Sequence, residues 1–225
     1  MNRIAILVGV TPPESPLVVT TSYLKMWNEF LVSVAGGAWD SATEIKFLSN
    51  PTADQLTNLV TQASECDYSI FVFAGRAELG QDRLGLPELH LSLGNAGIVS
   101  ERKLKPKTER CTMFLDNPPQ HPLGIENSPS SGLHANKVRI LYDQSISDAE
   151  KGCVRVLSPT FGKPIPGESF AYHLITKSLK WSTQNTGILN LDEAVNYTNT
   201  QQDTLTVRYN GGRRLHDFPF VLGQR

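Results

Sequence analysis

The chain has 225 residues and a formal net charge of −1; 40% of its residues are hydrophobic and 19% are charged. This length fits one large domain or two small ones with a substantial buried core. The near-neutral charge gives no global argument for binding to nucleic acid or to an anionic membrane. No run approaches the roughly 18 apolar residues of a membrane-spanning helix, and we interpret the short apolar N-terminus as a core strand rather than a signal peptide.

In the first third of the chain, strand patterns alternate with helix patterns. Continuous apolar runs are typical of strands buried on both faces of a parallel sheet. The first helix carries one apolar stripe, and Thr52 is a suitable N-cap for the second. The predicted strands are 3–10, 43–49 and 68–75, and the predicted helices are 18–35 and 50–65. This β-α-β-α-β order predicts a doubly wound sheet with right-handed crossovers.

The rest of the chain is less regular. The stretch 76–110 shows little periodicity, and its basic part at 101–110 predicts a solvated loop, with docking of an acidic partner as the alternative. The loop 120–136 and the segment 145–168 are expected to be the least ordered parts. Further strands are predicted at 110–116 and 137–144, helices at 169–182 and 190–201, and a closing extended segment up to Leu222.

The three cysteines, Cys66, Cys111 and Cys153, form an odd and sparse set. Such a set is not typical of a disulfide framework, and no CxxC spacing suggests zinc. We therefore expect reduced thiols and a cytoplasmic location. Cys66 and Cys111 precede their strands, and Cys153 falls in a stretch predicted to be irregular.

Two strand ends are the natural places for a functional site. In an open α/β sheet, working residues collect beyond the carboxyl ends of the strands. Gly75 and Arg76 follow one buried strand, and Asp116, Asn117 and Pro118 end another.

The order of these segments resembles the caspase-like fold, in particular the metacaspase branch of peptidase clan CD. That family's first strand is similar to RIAILVGV, and its strand ending in Ser-Gly-His-Gly is similar to DYSIFVFAGRAEL. Its strand ending in Asp-x-Cys-x-x-Gly resembles TMFLDNPPQ, and its small-subunit helix pair resembles SFAYHLITKSLKW with GILNLDEAVNYT. The likeness covers most of the chain.

The resemblance implies a three-layer α/β sandwich with a mostly parallel central sheet and helices on both faces. It also implies one caspase-like domain over residues 1–225, with a large-subunit-like part at 1–119, a flexible loop at 120–136 and a small-subunit-like part at 137–225.

When the family's catalytic positions are carried over to this sequence, both residues of the catalytic dyad are missing. The family's histidine position falls on Arg76 and its cysteine position on Pro118. A cysteine protease needs a thiolate and a base that activates it. Proline has no nucleophilic atom, and arginine stays protonated at working pH. We therefore expect a catalytically inactive pseudoprotease that binds a protein or peptide partner in a signalling or defence assembly, an active caspase-like protease being one candidate.

Asp116 matches an aspartate of the family's cleft. In metacaspases the matching aspartate helps to bind a basic side chain, so an arginine- or lysine-bearing peptide could bind without being cut. The alternatives are an internal Arg76–Asp116 ion pair that closes the cleft and a turn residue that caps local amides. His121 lies three residues after Pro118 and is a further candidate for the cleft.

Two other functions stay open. The first is a divergent peptidase that uses His121 with Cys153 or a serine, although no Gly-x-Ser-x-Gly elbow is present. The second is a flavodoxin-like binding domain, in which strands and helices would alternate at short intervals to the end of the chain. Because neither GxGxxG nor GxxxxGK[ST] occurs, we expect no cofactor.

Overall fold

The computed structural model describes residues 1–11, 17–117, 132–158, 169–200, 208–209 and 218–225. The helices in this part of the chain are α1 (Leu17–Val32), α2 (Ala53–Ala63), α3 (Glu101–Leu104), α4 (Gly132–Asp148), α5 (Phe170–Gln184) and α6 (Leu191–Thr200), with a 3-10 turn at Gly94–Ala96. The strands are β1 (Arg3–Gly9), β2 (Ile45–Ser49), β3 (Tyr68–Ala74), β4 (Ala77–Gln81), β5 (Pro87–Ser92), β6 (Ile98–Ser100), β7 (Arg110–Asp116), β8 (Gly152–Leu157), β9 (Ile188–Asn190), β10 (Arg208–Tyr209) and β11 (Pro219–Leu222).

The central sheet has the strand order β10-β8-β7-β3-β1-β2. Five of these strands are parallel, and β10 joins the β8 edge in the antiparallel sense. Every residue of β1 and β3 is buried, as the continuous apolar runs predict. Two smaller antiparallel sheets, β4-β5-β6 and β11-β9, lie outside the central one.

Apolar layers cover both faces of the central sheet. Helices α1, α4, α5 and α6 pack on one face with β9 and β11. In this layer the ring of Phe114 lies 4.6 Å from that of Trp27 and 6.0 Å from that of Phe220. Helices α2 and α3 and the β4-β5-β6 sheet cover the other face. This is the predicted three-layer α/β sandwich, and the fold class is confirmed.

Helix α2 begins as the sequence predicts. The Thr52 hydroxyl accepts a hydrogen bond of 3.2 Å from the Gln55 backbone N–H, and the Gln55 side chain accepts one of 2.9 Å from the Thr52 N–H. This reciprocal capping box satisfies two N–H groups that the helix itself cannot.

The strand predicted at 137–144 is wrong, because these residues belong to α4. Val138, Tyr142 and Ile146 are spaced by four and pack toward the core, whereas Ile140 and Leu141 are 67% and 56% exposed. The short window V-x-I-x-Y imitates strand alternation. Its true period shows only when Ile146 is included.

The sequence predicts that the segment 145–168 is poorly ordered, and this prediction is wrong for its first part. Helix α4 runs to Asp148, and residues 152–157 form β8 inside the central sheet. The first part of the predicted loop 120–136 and residues 159–168 lie outside the described residues, whereas 132–136 are helical. The division of the domain into large- and small-subunit-like parts stays a prediction.

The stretch 76–110 is also more regular than predicted. It folds into the antiparallel β4-β5-β6 sheet and the short helix α3. Its strands are short and largely half-exposed, so neither a continuous apolar run nor strict alternation marks them in the sequence.

A buried arginine joins α4 to the amino-terminal end of β1. Arg3 is 2% exposed, and its guanidinium donates hydrogen bonds to Asp143 at 2.9 Å and to Glu44 at 3.3 Å. It also lies 4.4 Å from the centre of the Trp39 ring. Arg139 of α4 forms a second ion pair with Glu44. The buried charges are thus paired, as burial requires.

The expectation of three reduced cysteines is wrong. Cys111 of β7 and Cys153 of β8 face each other in register and form a disulfide, with their Cα atoms 4.5 Å apart. Cys66 is free and partly buried. The cysteine-based argument for a cytoplasmic location therefore fails, and that location stays a prediction. Within the described ranges, no helix has the length and apolar character needed to cross a membrane.

Candidate functional site

The two strand ends selected from the sequence are neighbours. Strands β3 and β7 pair in register from Tyr68↔Arg110 to Ala74↔Asp116, and the Gly75 N–H donates to the Asp116 carbonyl at 3.1 Å. Arg76 therefore lies two residues beyond Ala74, just past this last pair. Pro118 stands two residues after Asp116 in the sequence and, like His121, lies outside the described residues.

Arg76 connects the central sheet to the small one. It lies between β3 and β4, and its carbonyl accepts a hydrogen bond of 2.9 Å from the Ser92 N–H at the end of β5. Its side chain is exposed. Asp116, by contrast, is 3% exposed and makes its side-chain contacts elsewhere, so the alternative of an Arg76–Asp116 ion pair is wrong.

The Asp116 carboxyl joins three elements. Its Oδ2 accepts a hydrogen bond of 3.1 Å from the Tyr23 hydroxyl on α1 and one of 3.2 Å from the Ala171 N–H on α5. Ser169 is the N-cap of α5, and its hydroxyl accepts from the Tyr172 N–H at 3.1 Å. Asp116 thus supplies a second acceptor for the first turn of α5, where the helix dipole favours negative charge.

Burial dominates the electrostatics of this carboxyl. It raises the pKa of Asp116 to about 6, although Ala171, Ser158, Tyr23 and Asn117 each act to lower it. Burial and the nearby Asp116 charge raise the pKa of the Tyr23 hydroxyl well above its usual value, so this group stays a donor. No described group makes a hydrogen bond of normal geometry to Asp116 Oδ1.

Sequence reasoning missed two residues of this site. The sequence places Tyr23 only in the apolar stripe of α1. Nothing in that stripe indicates that the Tyr23 hydroxyl lies at the end of β7. Ser158 follows β8, is 4% exposed, and donates its N–H to the Leu115 carbonyl at 2.9 Å. Predicting β8 would have placed Ser158 at the carboxyl edge by the same rule that selected Asp116.

The cysteines lie far from this edge. Cys111 and Cys153 are bonded to each other, and Cys111 precedes Asp116 by five strand residues, or roughly 16 Å. Cys66 precedes β3, at the same amino-terminal end of the sheet, and burial raises the pKa of its thiol. In the part of the chain that the structure describes, no thiol therefore stands at the carboxyl edge.

The histidines with described side chains are His90 and His173. His90 of β5 makes a 3.2 Å hydrogen bond with Glu88 in the small sheet, and a Cβ atom on Gly80 would lie 2.5 Å from its ring. His173 lies on α5 with its ring 5.7 Å from that of Tyr172. Among the described residues, no group of three or more His, Cys, Asp or Glu side chains could hold a metal ion.

Two cavities lined by described residues lie away from this edge. One of about 500 Å³ opens at the amino-terminal end of the sheet, lined by Asp67, Arg110 and Asp143 among others. A second of about 390 Å³ lies between α4 and β9. Neither includes Arg76 or Asp116.

No family model and no curated protein matches the sequence. Solved structures do match the fold. Protein GSU0716 from Geobacter sulfurreducens aligns with a TM-score of 0.59 and 8% identity over 100% of both chains. The Drosophila initiator caspase Dronc aligns with a TM-score of 0.51 and 10% identity over 97% of this chain and 81% of its own. Caspase-1 from Spodoptera frugiperda aligns with a TM-score of 0.53 and 10% identity over 98% and 84%.

The chain has a caspase-like fold. The strand order of its parallel strands alone could not decide this, because β2-β1-β3-β7-β8 is also the flavodoxin-like order 2-1-3-4-5. The decision rests on the nearly end-to-end alignment with two caspases. At 8 to 10% identity, these alignments show similarity of fold and do not show an activity for this chain.

Proposed function

We propose that this caspase-like chain is a non-catalytic protein that binds a protein or peptide partner. The observation that carries the proposal is the pairing of Ala74 with Asp116 at the ends of β3 and β7. The family's histidine and cysteine positions follow these two residues by the same two-residue step. Here those positions hold Arg76 and Pro118.

Neither residue can perform the chemistry of the dyad. A guanidinium stays protonated and cannot take a proton from a thiol, and a proline ring offers no nucleophile. The chain's cysteines also lie at the wrong end of the sheet, and Cys153, one of the nucleophiles that the peptidase alternative offers beside a serine, is held in a disulfide. Ser158 stands at the correct end, but it is 4% exposed, so a substrate carbonyl has little access to its hydroxyl.

The partner surface is the carboxyl edge around Arg76. The exposed guanidinium of Arg76 can pair with an acidic group of a partner. A basic partner side chain is the alternative that the resemblance implies for Asp116, but this carboxyl is only 3% exposed, so the limited access that argues against Ser158 applies to it as well. An active caspase-like protease of a signalling or defence assembly is the first class of partner to test.

Two measurements on the purified chain test this proposal. The first incubates it with fluorogenic peptides ending in Arg, Lys or Asp and with a thiol-reactive peptidyl probe, followed by intact-mass analysis. We expect no turnover and no saturable adduct, with the Pro118→Cys variant providing a mass standard for an added thiol. Turnover with saturable labelling of one native residue would overturn the proposal in favour of a peptidase.

The second measurement is binding without cleavage. Fluorescence anisotropy of labelled peptides that differ only in Arg, Lys, Gln or Asp at one position shows which charge is recognised. Loss of binding in Arg76→Ala points to an acidic partner group, and loss in Asp116→Asn points to a basic one. Lys25→Ala, a change on exposed α1 surface, serves as the matched control.

A further inference from the structure

Cys111 and Cys153 stand on adjacent strands of the central sheet. They are register partners in β7 and β8, with Cα atoms 4.5 Å apart, and their sulfur atoms are bonded. We propose that this pair is a redox-sensitive tether that cross-links β8 to β7 in the oxidised chain, and that its reduction lowers the stability of the fold without separating the two strands. The inference does not depend on the proposed function.

The disulfide lies at the amino-terminal end of β8, where the Arg110 side chain also donates hydrogen bonds to the Ala149 and Ser147 carbonyls just before the strand. Among the described residues, β10 pairs with β8 only at Val156 and Leu157, near its carboxyl end. At the amino-terminal end, around Cys153, the described neighbour of β8 is β7 alone. An ion pair at this end joins Lys151 to Glu109, and both side chains are more than half exposed. Such an exposed pair contributes little stability.

The disulfide also closes a long loop of the chain. The two cysteines are 42 residues apart, and the chain between them passes Asp116 and includes all of α4. Closing a loop of this length removes conformational freedom from the unfolded chain, so the oxidised form should be the more stable one. Reduction restores that freedom without removing any strand.

The two sulfurs differ in accessibility. Cys111 is fully buried, whereas Cys153 is partly exposed. A dithiol reductant can therefore attack the Cys153 sulfur as a thiolate and form a mixed disulfide there, while Cys111 leaves as a thiolate and takes up a proton. The second thiol of the reductant then displaces Cys153 as a thiol. Each disulfide that is reduced oxidises one dithiol to a disulfide.

The reduced chain should stay folded. Six register pairs hold β7 to β8, and Val154 and Val156 are buried in the core. The two thiols in place of the disulfide behave as small apolar groups, Cys111 fully buried and Cys153 partly exposed. The two redox states are thus two folded forms of different stability rather than a folded and an unfolded form.

Thiol counting and thermal unfolding test the tether. Without prior alkylation, thiol titration of the full chain in denaturant should find one free thiol, that of Cys66, in the oxidised form, and three after reduction with excess dithiothreitol and removal of the reductant. The melting temperature should fall by about 5 to 15 °C on reduction and recover on reoxidation with oxidised dithiothreitol.

Variants separate the tether from general effects of the reductant. Cys153→Ala should melt at the same temperature with and without dithiothreitol, close to the reduced wild type, while Cys66→Ala should keep the full shift. Three free thiols after oxidation would overturn the proposal. So would a native disulfide that excess reductant leaves intact, or equal melting temperatures in both states.

Discussion

The hydroxyl of Tyr23 donates a hydrogen bond to the carboxyl of Asp116 across 93 residues of sequence. This bond joins the middle of α1 to the end of β7, and the same carboxyl oxygen accepts from the first turn of α5. The residue that the sequence identified as a possible receptor for a basic side chain is therefore also a junction of three elements. Its chemistry can be tested through stability as well as through binding.

The stability of the chain should depend on the ionisation of Asp116. Burial raises its pKa in the folded chain to about 6, above the value near 4 of an unfolded aspartate. The folded state then binds the proton more tightly, so this group's contribution is full below about pH 4 and is lost as the pH rises to about 6. The Asp116→Asn variant cannot ionise at this position and should not lose this contribution. Between pH 4 and pH 7, the free energy of unfolding of the wild type should therefore fall by on the order of 2 kcal/mol relative to that of the variant.

Urea denaturation of both proteins at several pH values measures this difference, since contributions from other carboxyl groups cancel between them. Asp40 and Asp82 would behave oppositely, because hydrogen bonds from backbone N–H groups lower their pKa values. Asp82→Asn is therefore the matched control. A difference between wild type and Asp116→Asn that does not change with pH would refute the assignment.

Removing the Tyr23 hydroxyl should destabilise the chain most at neutral pH. Tyr23→Phe takes a donor from a buried carboxyl, which costs about 1 to 3 kcal/mol when the carboxyl is ionised. Its loss should also raise the pKa of Asp116 further, since Tyr23 acts to lower it. The control is Tyr68→Phe, because Tyr68 is equally buried but bonds the neutral Thr112 hydroxyl at 2.9 Å. Denaturation at pH 4 and pH 7 should show a pH-dependent cost only for Tyr23→Phe.

Replacing Arg3 should cost much more than replacing a surface cation. Arg3→Met leaves Asp143 without its guanidinium partner and removes one of the two arginines at Glu44. Breaking a buried ion pair in this way costs about 3 to 5 kcal/mol. Lys25 pairs with Glu29, and its side chain is 73% exposed. Lys25→Met should therefore cost at most about 1 kcal/mol. Equal midpoints for the two variants in chemical denaturation would contradict a structural role for Arg3.

Arg76→Ala should leave the melting temperature nearly unchanged. The side chain is exposed, and even an ion pair on such a surface contributes about 0 to 1 kcal/mol. Differential scanning calorimetry at pH 7 checks this. A fall of more than about 5 °C, beyond what 1 kcal/mol gives in a chain of this size, would show that Arg76 holds the fold together.

The sequence was sufficient for four strands of the central sheet, β1, β2, β3 and β7, and for α2 with its Thr52 cap, whereas the sandwich class followed from the family resemblance. It failed where local patterns imitate another structure. The V-x-I-x-Y window in α4 alternates like a strand, and β8 carries Gly152 and Arg155 among its apolar residues. The disulfide could not be predicted from the spacing of the cysteines in the sequence, because their proximity depends on the register of β7 and β8.

The site was predicted in part. The rule that functional residues collect at carboxyl strand ends brought Arg76 and Asp116 to neighbouring positions. The rule says nothing about which side chain turns inward. Asp116 is buried because α1 supplies Tyr23 and α5 supplies Ala171, two elements that come from opposite halves of the chain. Partners that distant in sequence leave no local signal.

The candidate site and the one free thiol among the cysteines lie at opposite ends of the central sheet. A fluorophore attached to Cys66 would therefore sit a full strand length away from Arg76, and the disulfide would leave no competing sulfur in the oxidised chain. Because burial and neighbouring Asp67 and Glu65 raise the pKa of Cys66, coupling should be slow and should quicken at alkaline pH. Such a conjugate would report complex formation without occupying the surface under study.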